Sequence, residues 1–210
     1  METRAIPLRA RRNSAVIVHA IPGHFATQHS HVTYCIDITK VKSDLKLAKA
    51  AARLFAEKFC NTPVDTIITL ERMKMVGAFL ANELSHAGIN VNNDMGVISP
   101  EVTNDKLILR DNLLPYVKNK SVLVLCATAT TGLTAKGAVD GIRYYGGEPV
   151  GLATVFGGDF QLDGIPVVRL MSAEDLRDYA SFAQAECPLC KRGEKIDALV
   201  NSYGYSKIVR

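Results

Sequence analysis

Apolar residues recur at steps of three and four through residues 43–59, where Leu45, Ala48, Ala52, Phe55 and Phe59 fall on one face. That spacing predicts an amphipathic helix, and Ser43 is placed to cap it. Pro63 follows, and Asp65-Thr-Ile-Ile-Thr-Leu70 reads as a short buried strand. Met73, Val76, Leu80 and Leu84 define the face of a second helix over 72–86, ended by Gly88. Ser121-Val-Leu-Val-Leu-Cys126 is continuously apolar, which is the pattern of a central parallel strand covered on both faces. A third helix over 131–145 carries Ala138, Gly141, Ile142 and Tyr145 on one side and stops at Gly146-Gly147. Further strands are expected near 95–99, 107–109, 149–156 and 167–170, a short helix near 173–180, and an irregular tail after it.

Strands alternating with helices require right-handed crossovers, hence an α/β domain with a parallel sheet flanked by helices. Ligands in such sheets bind beyond the carboxyl ends of the strands, which directs attention to 70–75 and 126–134.

Composition narrows the class. The 210 residues are 48% apolar and 22% charged, an ordinary globular balance with material for one domain spanning 1–210. No apolar run approaches the roughly 18 residues of a membrane span. A net charge of +4 suits a small anionic ligand and gives no reason to expect nucleic acid or membrane as a partner. Arg4, Arg9, Arg11 and Arg12 form the basic cluster of the chain and are expected in a solvated arm. Five scattered cysteines argue against a disulfide framework and for a reducing cytoplasm.

The turn Cys126-Ala-Thr-Ala-Thr-Thr-Gly-Leu-Thr134 joins the clearest strand to a helix. Its small residues admit a ligand close to the backbone, Gly132 permits a tight turn, and hydroxyls stand at Thr130, Thr131 and Thr134. The first amides of the following helix are unpaired and attract anions. Thr128, Ala129, Thr130, Thr131, Gly132, Leu133 and Thr134 are therefore the candidate phosphate site. A Thr-rich helix start without a ligand is the alternative.

Residues 122–134 resemble the phosphoribosyl-pyrophosphate signature of type I phosphoribosyltransferases: four apolar residues, two acids, two variable positions, then a Thr-Thr-Gly turn. Gly23-His-Phe25, His29-Ser30 and Tyr34-Cys-Ile-Asp37 are similar to the base-binding segment of the orotate phosphoribosyltransferases. Residues 65–84 are similar to their pyrophosphate loop and helix, and Glu186-Cys-Pro-Leu-Cys190 to a C-terminal motif of some members. The resemblance covers about residues 20 to 195. It implies the type I phosphoribosyltransferase fold, with a small hood built from about 1–40 and the C-terminal part. It also implies base contacts from Phe25, His29 and Ser30, pyrophosphate contacts from Glu71, Arg72 and Lys74, Mg²⁺ as cofactor, and a homodimer.

The pattern breaks at three places. The acidic pair falls on Cys126 and Ala127, a loss of about 10²–10³ in rate for one such electrostatic contact. The stretch 92–110 has Lys106 and Arg110 where the family has a basic mobile loop with a His. The Ser-Gly step before the His-Ser pair is missing from 26–28. Glu71 and Asp94 are candidate replacement carboxylates, and no catalytic residue is assigned. The chain thus reads as a phosphoribosyltransferase-like protein with a divergent site, one that binds phosphoribosyl pyrophosphate or a nucleotide. Transfer to a base such as orotate is the first reading, and a non-catalytic sensor or regulator is the alternative.

Cys187 and Cys190 make half of a tetrahedral zinc site, which a His or a partner chain would have to complete; reduced thiols in a tail are the simpler expectation. His29 and His31 would share a strand face, yet no carboxylate adjoins them, so no metal ligands are assigned. Cys126 is expected as a small buried core residue rather than a reactive thiol.

Overall fold

The computed structural model describes residues 1–208. The chain opens with β1 (Ile6–Ala10), β2 (Asn13–Ala26) and β3 (His31–Asp37), followed by α1 (Thr39–Ser43) and α2 (Leu45–Phe59). Then come β4 (Thr66–Thr69), α3 (Lys74–Leu84), β5 (Gly96–Ile98), and a small hairpin of β6 (Glu101–Thr103) and β7 (Lys106–Ile108). The second half contains β8 (Ser121–Ala129), α4 (Leu133–Tyr144), β9 (Glu148–Gly157), β10 (Val167–Ser172), β11 (Ser181–Phe182), α5 (Pro188–Lys191), β12 (Ala198–Asn201) and β13 (Gly204–Lys207).

The core is a parallel five-stranded sheet in the order β10-β9-β8-β4-β5. Alternation along the central strand divides its side chains between two layers. Leu123, Leu125 and Ala127 pack with α2 and α3, together with Phe55, Phe59, Val76, Leu80 and Leu84. Val122, Val124 and Cys126 face the other way, against Ala135, Ala138, Val139 and Ile142 of α4. Both faces of β8 are dry, which explains its unbroken apolar run.

A second sheet of six strands, β11-β3-β2-β12-β13 with β1 against β2, forms a hood over one end. Its own small core is Ile21, Phe25, Val32, Cys35 and Ala198. The far end of β2 and β1, through Leu8, Val16, Val18 and Ala20, joins the layer of α2. No helix of the described residues is long and apolar enough to cross a membrane.

Several expectations change. Asp44, not Ser43, caps α2, its carboxylate accepting from the Lys46 and Leu47 amides, and Leu45 is exposed. Ser43 instead ends the separate helix α1. The helix expected at 173–180 is a single turn at Ala173–Asp175, closed by a capping box between Ser172 and Asp175. Much of the expected irregular tail is β11, β12 and β13, strands too short to show a period. The arginines belong to the hood rather than a free arm: Arg4 pairs with Asp197, and Arg11 with Asp175.

Phe55 is fully buried between α2 and the sheet. Phe55→Ala should destabilise the fold by about 3–5 kcal/mol. Urea unfolding checks this; the midpoint should fall while the slope stays unchanged.

Candidate active site

Strand β8 extends past its neighbour. The pairing of β4 with β8 ends at Thr69 with Leu125, and the Leu70 amide adds one more bond to the Leu125 carbonyl. Beyond that point β8 is held on one side only, by β9 up to Ala129. On the open side the Glu71 carboxylate takes the place of a strand: its Oε2 accepts from the amides of Ala127 (2.9 Å) and Thr128 (2.8 Å). To reach them the backbone turns left-handed at Glu71 (φ 50°) and Arg72 (φ 66°). Non-glycine residues in that region cost of order 1 kcal/mol or more each and cluster at functional sites.

Two adjoining cavities open at this edge, between the core sheet and the hood. One, of about 380 Å³, is bounded by Asp37, Lys42, Glu71, Arg72, Thr128 and Tyr203. The other, of about 300 Å³, is bounded by Thr130–Thr134, His29 and Asp105. Both share Glu71, Thr128 and Asn201. Burial holds the Glu71 carboxyl above the ordinary carboxylate range, against the opposing pull of the Thr128 amide and Lys42. Burial lowers the Lys42 ammonium, against the pull of Glu71, and its Nζ donates to the Ser202 carbonyl at 2.9 Å.

The Thr128–Thr134 turn is built for close approach. Gly132 occupies the N-cap of α4 in a left-handed conformation (φ 75°), and a Cβ there would collide with the Phe160 ring. Arg169 fixes the flanking loop by donating to the carbonyls of Gly158 and Phe160, and its guanidinium lies over the Phe160 ring. The β6–β7 hairpin folds onto this turn. Asp105 Oδ1 accepts from Thr134 Oγ1 at 3.0 Å and lies 2.9 Å from His29 Nε2. Its tip is also left-handed, at Asn104 and Asp105. An anionic oxygen from the protein thus rests on the Thr134 hydroxyl, with a histidine beside it.

The structure therefore brings Thr128–Thr134, Glu71, Arg72 and His29 to one edge. Three expected contributors lie elsewhere. Phe25 is fully buried in the hood core, because its position on β2 points inward. Ser30 is buried in a tight turn, exchanging bonds with Thr27. Lys74 faces a separate cleft near Asp94 and Gly96, on the β5 side. The same cleft holds Asp94, so of the two candidate replacement carboxylates only Glu71 reaches β8. Cys126 is buried, and burial followed by the Glu71 charge pushes its thiol well above the ordinary range, as expected of a core residue. Lys42, Asp105 and the 201–205 turn escaped the sequence reading. Each is brought in by tertiary contact, with no local motif to announce it.

This architecture, a parallel sheet with a Thr-rich turn at the end of its central strand and a hood above it, is the type I phosphoribosyltransferase fold. Solved structures agree. Adenine phosphoribosyltransferase from Trypanosoma brucei, in complex with AMP, pyrophosphate and ribose-5-phosphate, matches with a TM-score of 0.56 and 15% identity over 77% of this chain and 78% of that one. Mycobacterium tuberculosis orotate phosphoribosyltransferase in complex with 5-phospho-alpha-D-ribosyl 1-diphosphate matches with a TM-score of 0.51 and 19% identity, over 68% and 82%. In sequence, the chain is 26% identical over 176 residues to the orotate phosphoribosyltransferase of Caldanaerobacter subterraneus subsp. tengcongensis, covering 81% of this chain and 85% of that one. No family model matches. In fold the chain is phosphoribosyltransferase-like, and an orotate phosphoribosyltransferase is among the proteins it resembles in sequence.

The raised Glu71 carboxyl makes a signed prediction. The folded chain holds that proton more tightly than the unfolded chain does, so the associated stability is full at acid pH. It is lost as pH rises from the ordinary carboxylate range through the raised value. Glu71→Gln has no proton to lose. Its stability relative to the parent should rise across that window and stay flat below it, as followed by denaturation midpoints against pH.

Proposed function

We propose that the chain binds phosphoribosyl pyrophosphate at the shared edge of β8 and transfers its phosphoribosyl group to a base, orotate by relationship, releasing pyrophosphate. The observation that carries this reading is the Glu71 carboxylate, which supplies an anionic group beside Ala127 and Thr128 where the acidic pair of the signature is missing. Thr130, Thr131 and Thr134 with the first amides of α4 take the 5′-phosphate. Arg72 and Lys42 line the adjoining cavity and face the pyrophosphate. The base lies toward the hood, near His29.

Catalysis in this arrangement is positioning plus electrostatic stabilisation. As the bond from the anomeric carbon to pyrophosphate lengthens, positive charge develops on the ribose ring. Glu71 in its ionised form offsets that charge, and the cationic side chains offset the charge on the leaving group. Magnesium fits as an ion carried largely by the ligand. Glu71 and Asp37 are the carboxylates bordering the cavity, hard oxygen donors that would hold it together with the ligand's phosphates, where it would neutralise phosphate charge. The cytoplasm and a homodimer belong to the same reading.

A second reading has its own observation. The side chains at the positions of the acidic pair, Cys126 and Ala127, are buried and apolar, so a chain that binds the ligand without turning it over is a sensor or regulator. Pyrophosphate release from phosphoribosyl pyrophosphate with Mg²⁺, across orotate, uracil and the purine bases, separates the two. The transferase reading expects release with one base and a drop of about 10²-fold in kcat for Glu71→Gln. No release with any base at high protein concentration would replace it with the binding reading.

Asp105 also competes for the turn. Asp105→Ala should tighten binding of ribose 5-phosphate, because it frees the Thr134 hydroxyl and removes a negative charge. Calorimetric titration of parent and variant checks the direction.

A further inference from the structure

The hood brings together four side chains that the sequence scatters over 167 positions, from His24 to Cys190. His24 lies near the end of β2, His31 opens β3, Cys187 is the N-cap of α5 and Cys190 lies within its single turn. One donor atom from each lies within 4.8 Å of every other. His24, His31 and Cys187 are buried, and Cys190 alone reaches the surface. The site is separate from both ligand cavities, whose walls contain none of the four.

We propose that these residues form a structural zinc site of the Cys₂His₂ type. A tetrahedral zinc with N ligands at roughly 2.0–2.1 Å and S ligands at roughly 2.3 Å sets its donor atoms about 3.3–3.8 Å apart. The separations here are 3.0 Å for His24 Nε2 to His31 Nδ1, 3.5 Å for Cys187 Sγ to His24 Nε2, and 3.6 and 3.2 Å for Cys190 Sγ to the two histidine nitrogens. They are at or slightly inside the tetrahedral range.

Hydrogen bonding alone does not account for the arrangement. His24 Nδ1 lies 3.0 Å from the carbonyl of Glu194, an acceptor only, so that nitrogen carries the proton and Nε2 bears the lone pair. Three possible donors, the His31 ring and both thiols, converge on that single lone pair. An sp² nitrogen accepts one of them well. A cation at the centre satisfies all four donors, and the Glu194 carbonyl then becomes the outer partner that orients a ligating imidazole. Charge balances as well: two thiolates and two neutral imidazoles around Zn²⁺ give a neutral cluster suited to burial, with two thiol protons released to solvent.

The local chain is shaped to hold this geometry. Amides of Lys191, Arg192, Gly193 and Glu194 close back onto the carbonyls of Cys187, Pro188, Cys190 and Leu189, wrapping the segment around the cysteines. Asp197 then fastens it to β2, accepting from the His24 amide and donating its own amide to the His24 carbonyl. A metal here would tie the C-terminal segment to the two ends of the Thr27–Ser30 turn, whose Thr27 and His29 border the ligand cavity.

The test uses the full untagged chain purified without chelators. Metal analysis should give about one zinc per chain, and with zinc bound Cys187 and Cys190 should resist alkylation while Cys60 reacts. Replacement by cobalt should produce the intense thiolate charge-transfer and visible bands of tetrahedral S₂N₂ coordination. Cys190→Ser, at the exposed ligand, should lose most of the metal on dialysis. If that variant does not fold, the cobalt spectrum and alkylation map of the parent chain decide the question. No zinc after incubation with zinc ions under reducing conditions, equal alkylation of all three cysteines, or octahedral cobalt bands would each overturn the proposal.

Discussion

The candidate site depends on how the chain satisfies two backbone amides. Where β4 stops, β8 continues alone on that side, and buried N–H groups without partners would cost about 1–3 kcal/mol each. Glu71 resolves this with a carboxylate in place of a neighbouring strand. The solution forces the left-handed backbone at Glu71 and Arg72, and that backbone in turn projects Arg72 toward the cavity, where its guanidinium lies over the Tyr203 ring. It also satisfies the open edge of β8 just before the strand, still paired to β9, ends at Ala129 and leads into the Thr130–Thr134 turn. One ionisable group thus organises the Arg72 side of the edge, the Thr130–Thr134 turn and the approach of the hood.

That same group bears on the chemistry. For the proposed transfer, a signature without its acids lacks the anionic field that a positively charged ribose ring requires, and Cys126 and Ala127 cannot restore it. Glu71 reaches one of these positions, Ala127, and its neighbour Thr128 through their amides. Its carboxyl is held above the ordinary range by burial, while Lys42 and the amides favour the ionised form. In the proposed reading a phosphorylated ligand would bring negative charge to an edge where Glu71 and Asp37 already border one cavity, and Lys42 and Arg72 line that same cavity as cationic counterweights.

Much of the core was legible in the sequence because packing there follows a period. Val76, Leu80 and Leu84 keep helical spacing, and 121–126 is apolar throughout, so the helices and the central strand were read with their burial. The hood was not. β11 has two residues, β12 and β13 have four each, and a pairing partner such as Phe25 for Ala198 lies 173 positions away in the chain. Phe25 resembled a base contact from its motif, but a period-two strand set its side chain inward. His29 and His31 looked like face-sharing partners. The turn at Thr27–Ser30 parts them instead, sending His29 to Asp105 and His31 to His24. A Cys-x-x-Cys pair announces half of a candidate metal centre in sequence, whereas the two histidines that meet it, 159 and 166 positions from Cys190, do not.

The central claim is that the Thr128–Thr134 turn receives the phosphate of a phosphoribosyl ligand. Titration calorimetry of phosphoribosyl pyrophosphate with Mg²⁺ against the parent chain and Thr131→Arg tests it most directly. Thr131 is exposed at the mouth of the turn, so the substitution fills the anion site without disturbing the core. The account predicts saturable binding by the parent and loss of at least about 100-fold in affinity, close to 2.7 kcal/mol, in the variant. Equal affinity of the two chains, both folded, would contradict it.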